Sequence, residues 1–195
     1  HPQRMDELFG VGYLIASAPD DEYPELVGEG RGANLYRRGA RTVPRAWAVH
    51  RAVQAESGKG AAETALRSDF NYLQEVVVDE HLVGLDKCAG RNDFVRLLRR
   101  ESNRVVLWAD MECRGMVLLS DTHYPGWEAR IDGVPTPIHP ANGVIRGVVA
   151  EGGGHLIEYR YRPRSVLAGL VMTLSATAML LVWSTFLFLA RLKPR

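Results

Sequence analysis

The stretch LLSDTHYPGWEARIDG, residues 118–133, predicts an antiparallel β fold. Its Pro125-Gly126 pair suits the two central positions of a type II turn. Its Asp132-Gly133 pair is a strong signal for a β-hairpin. Tyr124 and Trp127 flank the first turn, so one follows a strand and the other begins the next strand.

The same alternation of apolar runs and turns extends over residues 101–163. Short strands at a spacing of roughly ten residues, separated by glycine-containing turns, are typical of an antiparallel sandwich or barrel. The predicted strands are NRVVLWADME, GMVLLSDTH, WEARIDG, TPIHP, VIRGVVA and HLIEYRYRP. We therefore expect residues 101–163 to form the antiparallel β-sandwich part of a soluble domain.

Residues 1–100 predict a mixed α/β part of the same domain. Residues 5–16 indicate a helix that runs into a short buried strand, and residues 18–32 indicate a polar loop. Residues 58–68, GKGAAETALRS, suit a short helix because Ala, Glu and Leu are good helix formers. Further strands are expected in ANLYRR, RAWAVHRAVQAE and QEVVVDE. The predicted fold class is therefore mainly β (α+β).

The segment from Ser165 to Ala190 contains 26 residues without a charge. As a helix it would be about 39 Å long, which exceeds the roughly 30 Å of a bilayer core. A buried core helix is the alternative, but such helices seldom run this long without a charge. We expect one C-terminal transmembrane helix over 165–190, followed by a basic tail at 191–195. Small residues such as Gly169 would allow another helix to approach closely.

The charge balance excludes one class of partner. Charged residues make up 24% of the chain, the net charge is +1, and no block of like charges occurs. A nucleic-acid partner is therefore not expected. Three basic residues precede the apolar segment and three follow it, so the positive-inside rule does not decide its orientation.

No motif for catalysis, for a cofactor or for a metal stands out. The chain lacks the GxSxG, P-loop and GxGxxG patterns. His123, His139 and His155 have no spacing that would bring them to one zinc ion. Cys88 and Cys113 are not in CxxC spacing. They are either a disulfide, worth about 3 kcal/mol in an oxidising compartment, or two small buried hydrophobic residues.

Two sets of residues are candidates for binding. Asp121, His123, Tyr124 and Trp127 surround the Pro-Gly turn, where aromatic rings could bind a sugar or a lipid headgroup beside polar partners. The alternative is that these rings only close the end of the sandwich core. Arg160, Arg162 and Arg164 alternate along the strand that leads into the apolar segment. They could bind anionic or pyrophosphate-linked lipid, or simply anchor the chain at the interface.

Residues 116–165 resemble the C-terminal end of the YfhO-type bacterial membrane proteins. That family shows a strand followed by Asp-Thr-x-Tyr-Pro-Gly-Trp, an Asp-Gly hairpin, an Asn-centred strand, a Gly-rich turn and a Tyr-Arg-Pro entry into its last helices. The matching residues here are Asp121, Thr122, Tyr124 to Trp127, Asp132-Gly133, Asn142, Arg146-Gly147, Gly152 to His155 and Tyr161 to Pro163. A weaker resemblance extends upstream. The chain departs from the pattern at His123 and at His139-Pro140.

The resemblance implies a large polytopic protein of the bacterial cytoplasmic membrane, similar to glycosyltransferases that use polyprenyl-linked sugar donors on cell-envelope glycans. The chain would be its extracytoplasmic accessory domain and membrane anchor, and it would not be catalytic by itself. Its expected partners are membrane lipid, a lipid-linked sugar or envelope polymer, and transmembrane helices of the preceding part. The alternative is a self-contained membrane-tethered β-sandwich module that binds glycan or protein.

Overall fold

The computed structural model describes residues 2–19, 21, 23–39, 42–79, 85 and 88–191. It is mainly β, with 45% strand and 20% helix, and it ends in one long apolar helix. The predicted fold class is therefore confirmed. The expected tail at 191–195 lies outside the described residues beyond Arg191.

Most of the strands lie after residue 90. The helices and strands are α1 (Pro2–Leu8), β1 (Tyr13–Ala16), β2 (Glu25–Glu29), β3 (Asn34–Arg37), β4 (Ala46–Val49), β5 (Arg51–Gln54), α2 (Gly58–Ala65), β6 (Glu75–Val78), β7 (Phe94–Glu101), β8 (Arg104–Met111), β9 (Gly115–Thr122), β10 (Trp127–Ile131), β11 (Val134–Thr136), β12 (His139–Ala141), β13 (Ile145–Ala150), β14 (Gly153–Tyr161) and α3 (Arg164–Arg191).

Two antiparallel sheets form a sandwich. One has the strand order β11-β10-β14-β8-β7 and the other the order β12-β13-β9-β4. Apolar side chains from both sheets meet in one core, with Leu107, Val117 and Ile157 all fully buried. Strand β7 contributes little to this core because its side chains are mostly exposed. It is an arginine-rich edge strand that the sequence patterns did not predict.

The four-stranded sheet also packs on its other face. Met116 and Leu118 of β9 contact a second core that includes α2 and β6. The side chains of β4 also alternate between the two cores, since Ala46 faces the sandwich core while Trp47 and Val49 face the second core. This agrees with the alternation in RAWAVHRAVQAE. Burial on both faces explains why β9 is a continuous apolar run.

The first hundred residues contribute more to the sandwich than the sequence suggests. Strands β4 and β7 belong to its two sheets, so the sheets draw on both sides of the expected boundary at residue 100. Strands β5 and β6 form a parallel pair connected through α2. Residues 18–32 are not only a loop, because they contain β2. Strand β1 is not buried, since Ile15 is 74% exposed.

The turns adopt the conformations that the sequence predicts. Gly126 has a φ of 100°, as the second central residue of a type II turn requires. Asp132 and Gly133 both have positive φ, at 51° and 84°, and connect the paired residues of the β10–β11 hairpin. Such a two-residue turn with positive φ at both positions matches the twist of the strands.

Helix α3 follows β14 after only two residues. Its segment Arg164–Thr185 has a mean hydropathy of 2.1 and none of it is buried within the described chain. By length and composition this helix can span a membrane, as predicted for 165–190. The start of α3 also lies next to the Pro-Gly turn, because Arg162 N donates a hydrogen bond to the Gly126 carbonyl at 2.6 Å.

Candidate functional site

A cavity of about 720 Å³ opens at the end of the sandwich that leads into α3. We call it the aromatic groove. Its lining combines three aromatic rings with charged side chains. The residues are Arg100, Glu101, Ser102, Val105, Asp121, Thr122, Tyr124, Trp127, Arg146 and Tyr161. Three of the predicted binding residues, Asp121, Tyr124 and Trp127, are therefore brought together in one site.

The backbone around the Pro-Gly turn fixes the aromatic rings. Trp127 pairs with Tyr161 across β10 and β14, and their ring centroids are 5.3 Å apart. A Cβ on Gly126 would lie 3.0 Å from the Tyr161 ring and 3.1 Å from Pro163. Only glycine therefore permits this close approach without a shift of the neighbouring chain. Tyr124 remains 60% exposed.

Arg146 forms the floor of the groove. It is only 2% exposed, and its guanidinium carbon lies 4.0 Å from the centroid of the Trp127 ring. One guanidinium nitrogen donates to the Asp121 carboxylate at 3.1 Å and another to the Thr122 carbonyl at 3.1 Å. Its Nε has no hydrogen-bond partner among the described residues. Burial lowers the pKa of Arg146, and the Asp121 charge opposes that shift.

Asp121 connects two arginines. Its second carboxylate oxygen accepts a hydrogen bond from Arg45, which precedes β4. The carboxylate is therefore held by one buried and one half-exposed guanidinium. A buried charge is tolerated only when it is paired and hydrogen-bonded, and Arg146 meets this condition through Asp121 and the ring of Trp127.

This arrangement suits a polar ligand with apolar faces. Ligand sites commonly combine aromatic surfaces with a few convergent polar groups that fix orientation. Exposed Tyr124 and half-buried Trp127 offer ring surface, while Asp121 and Arg146 offer acceptor and donor atoms. Arginine also recognises carboxylate and phosphate groups through its fork of N–H donors.

His123 is not part of the groove lining, although it neighbours Asp121 in sequence. Its Nδ1 is buried and has no hydrogen-bond partner among the described residues. Burial is the main reason that the pKa of His123 lies below its usual value of 6.5, and Arg146 lowers it further. Asp79 acts in the opposite direction. The side chain is therefore neutral at pH 7 and packs as an uncharged group.

The three arginines at the junction of β14 and α3 do not form one site. Arg160 and Arg162 line a smaller cavity of about 230 Å³, where Arg160 pairs with Glu158 at 2.8 Å and Arg162 with Glu128 at 4.0 Å. Arg164 instead lines a surface cavity with Arg162, Tyr124 and Trp127. The positive charges of Arg160 and Arg162 are thus partly neutralised by the neighbouring carboxylates.

A second cluster lies at the other end of the sandwich. Cys88 and Cys113 form a disulfide, which is one of the two interpretations that the sequence allowed. Among the described residues, the one group with three potential metal-ligating atoms within 4.8 Å is His50, Cys88 and Cys113. Its sulfurs are joined to each other and so are not thiolate ligands. Within the described part of the chain, no such grouping is found for His123, His139 and His155, and His155 bonds to Asp132 at 2.7 Å.

Sequence reasoning missed several residues of these sites. Arg100 and Tyr161 were not predicted as groove residues, and neither His50 nor Asp93 was predicted to belong to a site. Arg146 was noted only as part of the Arg146-Gly147 step of the resemblance. A basic residue within the apolar run VIRGVVA was the signal that could have identified it, because a buried arginine requires a partner.

Comparison of the chain with family models, with curated proteins and with solved structures finds no match. The resemblance to the YfhO-type proteins therefore depends on the sequence pattern alone, chiefly on the ordered residues of 116–165.

Proposed function

We propose that the chain is the extracytoplasmic accessory domain and membrane anchor of a YfhO-like membrane glycosyltransferase that acts on cell-envelope glycans. In this role the domain is not catalytic by itself. It binds the acceptor glycan or the polyprenyl-linked sugar donor in the aromatic groove and presents it at the membrane surface.

The observation that carries this proposal is the position of the groove. Its wall includes Tyr161, which lies three residues before the first residue of α3. A ligand in the groove would therefore lie at the height where α3 enters a bilayer. A sugar attached to a lipid anchor presents its polar part at that height, and the groove offers ring faces and charged hydrogen-bonding groups to receive it.

The rival is a self-contained membrane-tethered β-sandwich module that binds glycan or protein without an enzymatic parent. Both proposals use the same groove, so ligand binding alone does not separate them. They differ in the size of the native polypeptide. The glycosyltransferase proposal requires many transmembrane helices in the same polypeptide, whereas the module requires none besides α3.

Immunoblotting of native membranes separates the two proposals. An antibody raised against residues 30–160 should detect a band several times larger than 21.7 kDa if the domain belongs to a polytopic enzyme. A band at 21.7 kDa, in cells with proteolysis suppressed, would support the self-contained module and contradict the glycosyltransferase proposal.

The groove itself is tested by substitution in the native protein. Tyr124→Ala removes the most exposed ring of the groove, and Tyr13→Ala is a matched control because Tyr13 is exposed to a similar degree on β1, 55% against 60%. We expect Tyr124→Ala to reduce glycosylation of the envelope polymer at least tenfold while Tyr13→Ala leaves it unchanged. Full activity of Tyr124→Ala would contradict a ligand role for the groove.

A further inference from the structure

The His50 side chain packs against two glycines that leave room for its ring. The side chain is 6% exposed. A Cβ on Gly90 would lie 2.3 Å from the imidazole ring, and one on Gly115 would lie 2.7 Å from it. Each of these distances is shorter than real Cβ contacts allow, so any other residue at either position would displace the ring. The two segments that carry the cysteines therefore enclose this histidine.

Both ring nitrogens of His50 face hydrogen-bond acceptors. Nε2 contacts the buried carboxylate of Asp93, and Nδ1 lies 3.0 Å from the Arg114 carbonyl oxygen. Only the doubly protonated ring can donate to both. Asp93 is itself held by the Glu112 N–H at 2.8 Å. Asp93 and the Arg114 carbonyl are therefore placed to accept hydrogen bonds from the ring when it carries both protons.

The disulfide lies directly against this ring. Nδ1 is 3.4 Å from Cys113 Sγ and 3.8 Å from Cys88 Sγ. A positive charge beside a sulfur stabilises the thiolate that forms when a disulfide is cleaved. A cavity of about 480 Å³ is lined by Cys88 and His50, and Arg51 and Arg91 also line it. Cys113 does not line this cavity, so a group that enters it meets Cys88.

We propose that Cys88–Cys113 is a redox-active disulfide that exchanges with dithiols, and that His50 with Asp93 activates it. A thiolate of the dithiol enters the cavity, where Arg91 and the Glu75-paired Arg51 lie, and attacks Cys88 Sγ. The S–S bond breaks, and Cys113 leaves as a thiolate that accepts the Nδ1 proton of His50. The second thiol of the dithiol, once deprotonated, attacks its own sulfur of the mixed disulfide. Cys88 leaves with that electron pair and is protonated. The dithiol is thereby oxidised to a cyclic disulfide, and the protein gains two electrons and, once His50 has taken a proton back from solvent, two protons.

This activity does not rest on the proposed glycan function. The aromatic groove and the disulfide lie at opposite ends of β9, since Asp121 and Thr122 end that strand and Cys113 precedes it by two residues. The inference depends only on the contacts of His50, Asp93 and the two sulfurs.

The test measures reduction of the native full-length chain in detergent by dithiothreitol, with free thiols counted by maleimide gel shift. We expect complete reduction of the wild type within minutes while the protein stays folded. His50→Gln should shift the dithiol–disulfide equilibrium about tenfold toward the disulfide, which corresponds to about 30 mV. His155→Gln is the control, because His155 also bonds to an aspartate but lies away from the sulfurs.

A second pair of variants tests the direction of attack. With oxidised glutathione, Cys113→Ser should form a mixed disulfide at Cys88, whereas Cys88→Ser should form little at Cys113. Resistance of the wild-type disulfide to dithiothreitol until the chain unfolds would overturn the proposal, whatever the variants do. An unchanged equilibrium in His50→Gln, or in the milder Asp93→Asn if His50→Gln does not fold, would overturn the role of the His50–Asp93 pair.

Discussion

The two ends of the β4–β9 strand pair carry buried charges of different kinds. At one end Arg45 and Arg146 hold Asp121 beside the aromatic rings of the groove. At the other end, about 25 Å along eight residues of strand, His50 and Asp93 lie against a disulfide. The first end adjoins α3 and the second is remote from it. One sandwich thus separates a groove suited to ligand binding from a cluster suited to thiol chemistry.

The two ends also differ in how the chain assembles them. Asp121, Tyr124 and Trp127 of the groove lie within seven consecutive residues. The other end combines residues 50, 88, 93 and 113, which come together only when the sheets have formed. A local motif can therefore reveal one site of a fold, while a second site of similar burial, built from residues distant in sequence, is not recognisable from the sequence.

The largest effect is expected at the groove. Arg146→Met leaves Asp121 without its buried partner, and breaking a buried ion pair typically costs about 3–5 kcal/mol. Arg45→Met removes the other partner, whose side chain is 36% exposed, and should cost about 1 kcal/mol or less. Urea unfolding in detergent micelles measures both. Equal losses for the two variants would show that burial of Arg146 does not stabilise this end.

Loss of the disulfide should destabilise the protein less than Arg146→Met, and mainly close to the lost bond. The cysteines are 25 residues apart, so replacing both with alanine should lower the free energy of unfolding by about 3 kcal/mol. Hydrogen exchange should rise at Met116, near the lost bond, more than at Ser120, near the groove. Equal deprotection along β9 would contradict the separation of the two ends.

A pH dependence should distinguish His123 from the groove residues. Because burial lowers the pKa of His123, the unfolded chain takes up a proton below about pH 6.5 before the folded chain does. Stability is therefore full above pH 6.5 and falls as the pH drops toward the folded pKa. His123→Phe removes this loss. We expect the difference in unfolding free energy between pH 7.5 and pH 5.5 to be smaller in the variant than in the wild type. This change should be smaller than the free energy lost when the disulfide is removed. An unchanged difference would contradict the assignment.

The smallest effect is expected at Glu158, which lines the smaller cavity beside Arg160 and Arg162. Hydrogen bonds from Arg160 and Arg104 lower the pKa of Glu158. Both are partly exposed ion pairs, so Glu158→Gln should cost about 1 kcal/mol or less at pH 7. Unfolding in urea checks this. A loss as large as that of Arg146→Met would mean that these partly exposed pairs stabilise the sandwich as much as the buried pair in the groove does.

The features that the sequence predicted correctly are local ones. The turns at Pro125-Gly126 and Asp132-Gly133, and helix α3, depend on residues that are adjacent in the chain. Their conformations follow from the glycine and proline dihedrals or from an unbroken apolar run. The double-sided burial of β9 agrees with its unalternated sequence.

The features that were missed depend on tertiary contacts. Strand β7 has an arginine-rich edge sequence, and only its partner β8 makes it a strand. The segment TPIHP was predicted as one strand, but the chain there leaves β11 in one sheet and enters β12 in the other. The contact between His50 and the disulfide depends on the packing of Gly90 and Gly115 against the ring, which no local pattern contains.

Cross-linking from the groove in native membranes tests directly whether the aromatic groove binds a glycan or a lipid-linked sugar. p-Benzoylphenylalanine replaces Tyr124 in one protein and Tyr13 in another, and the captured molecules are identified by mass spectrometry. We predict that position 124 captures an envelope glycan or a lipid-linked sugar and that position 13 does not. Capture of the same molecules from both positions, or of no sugar from position 124, would contradict the account.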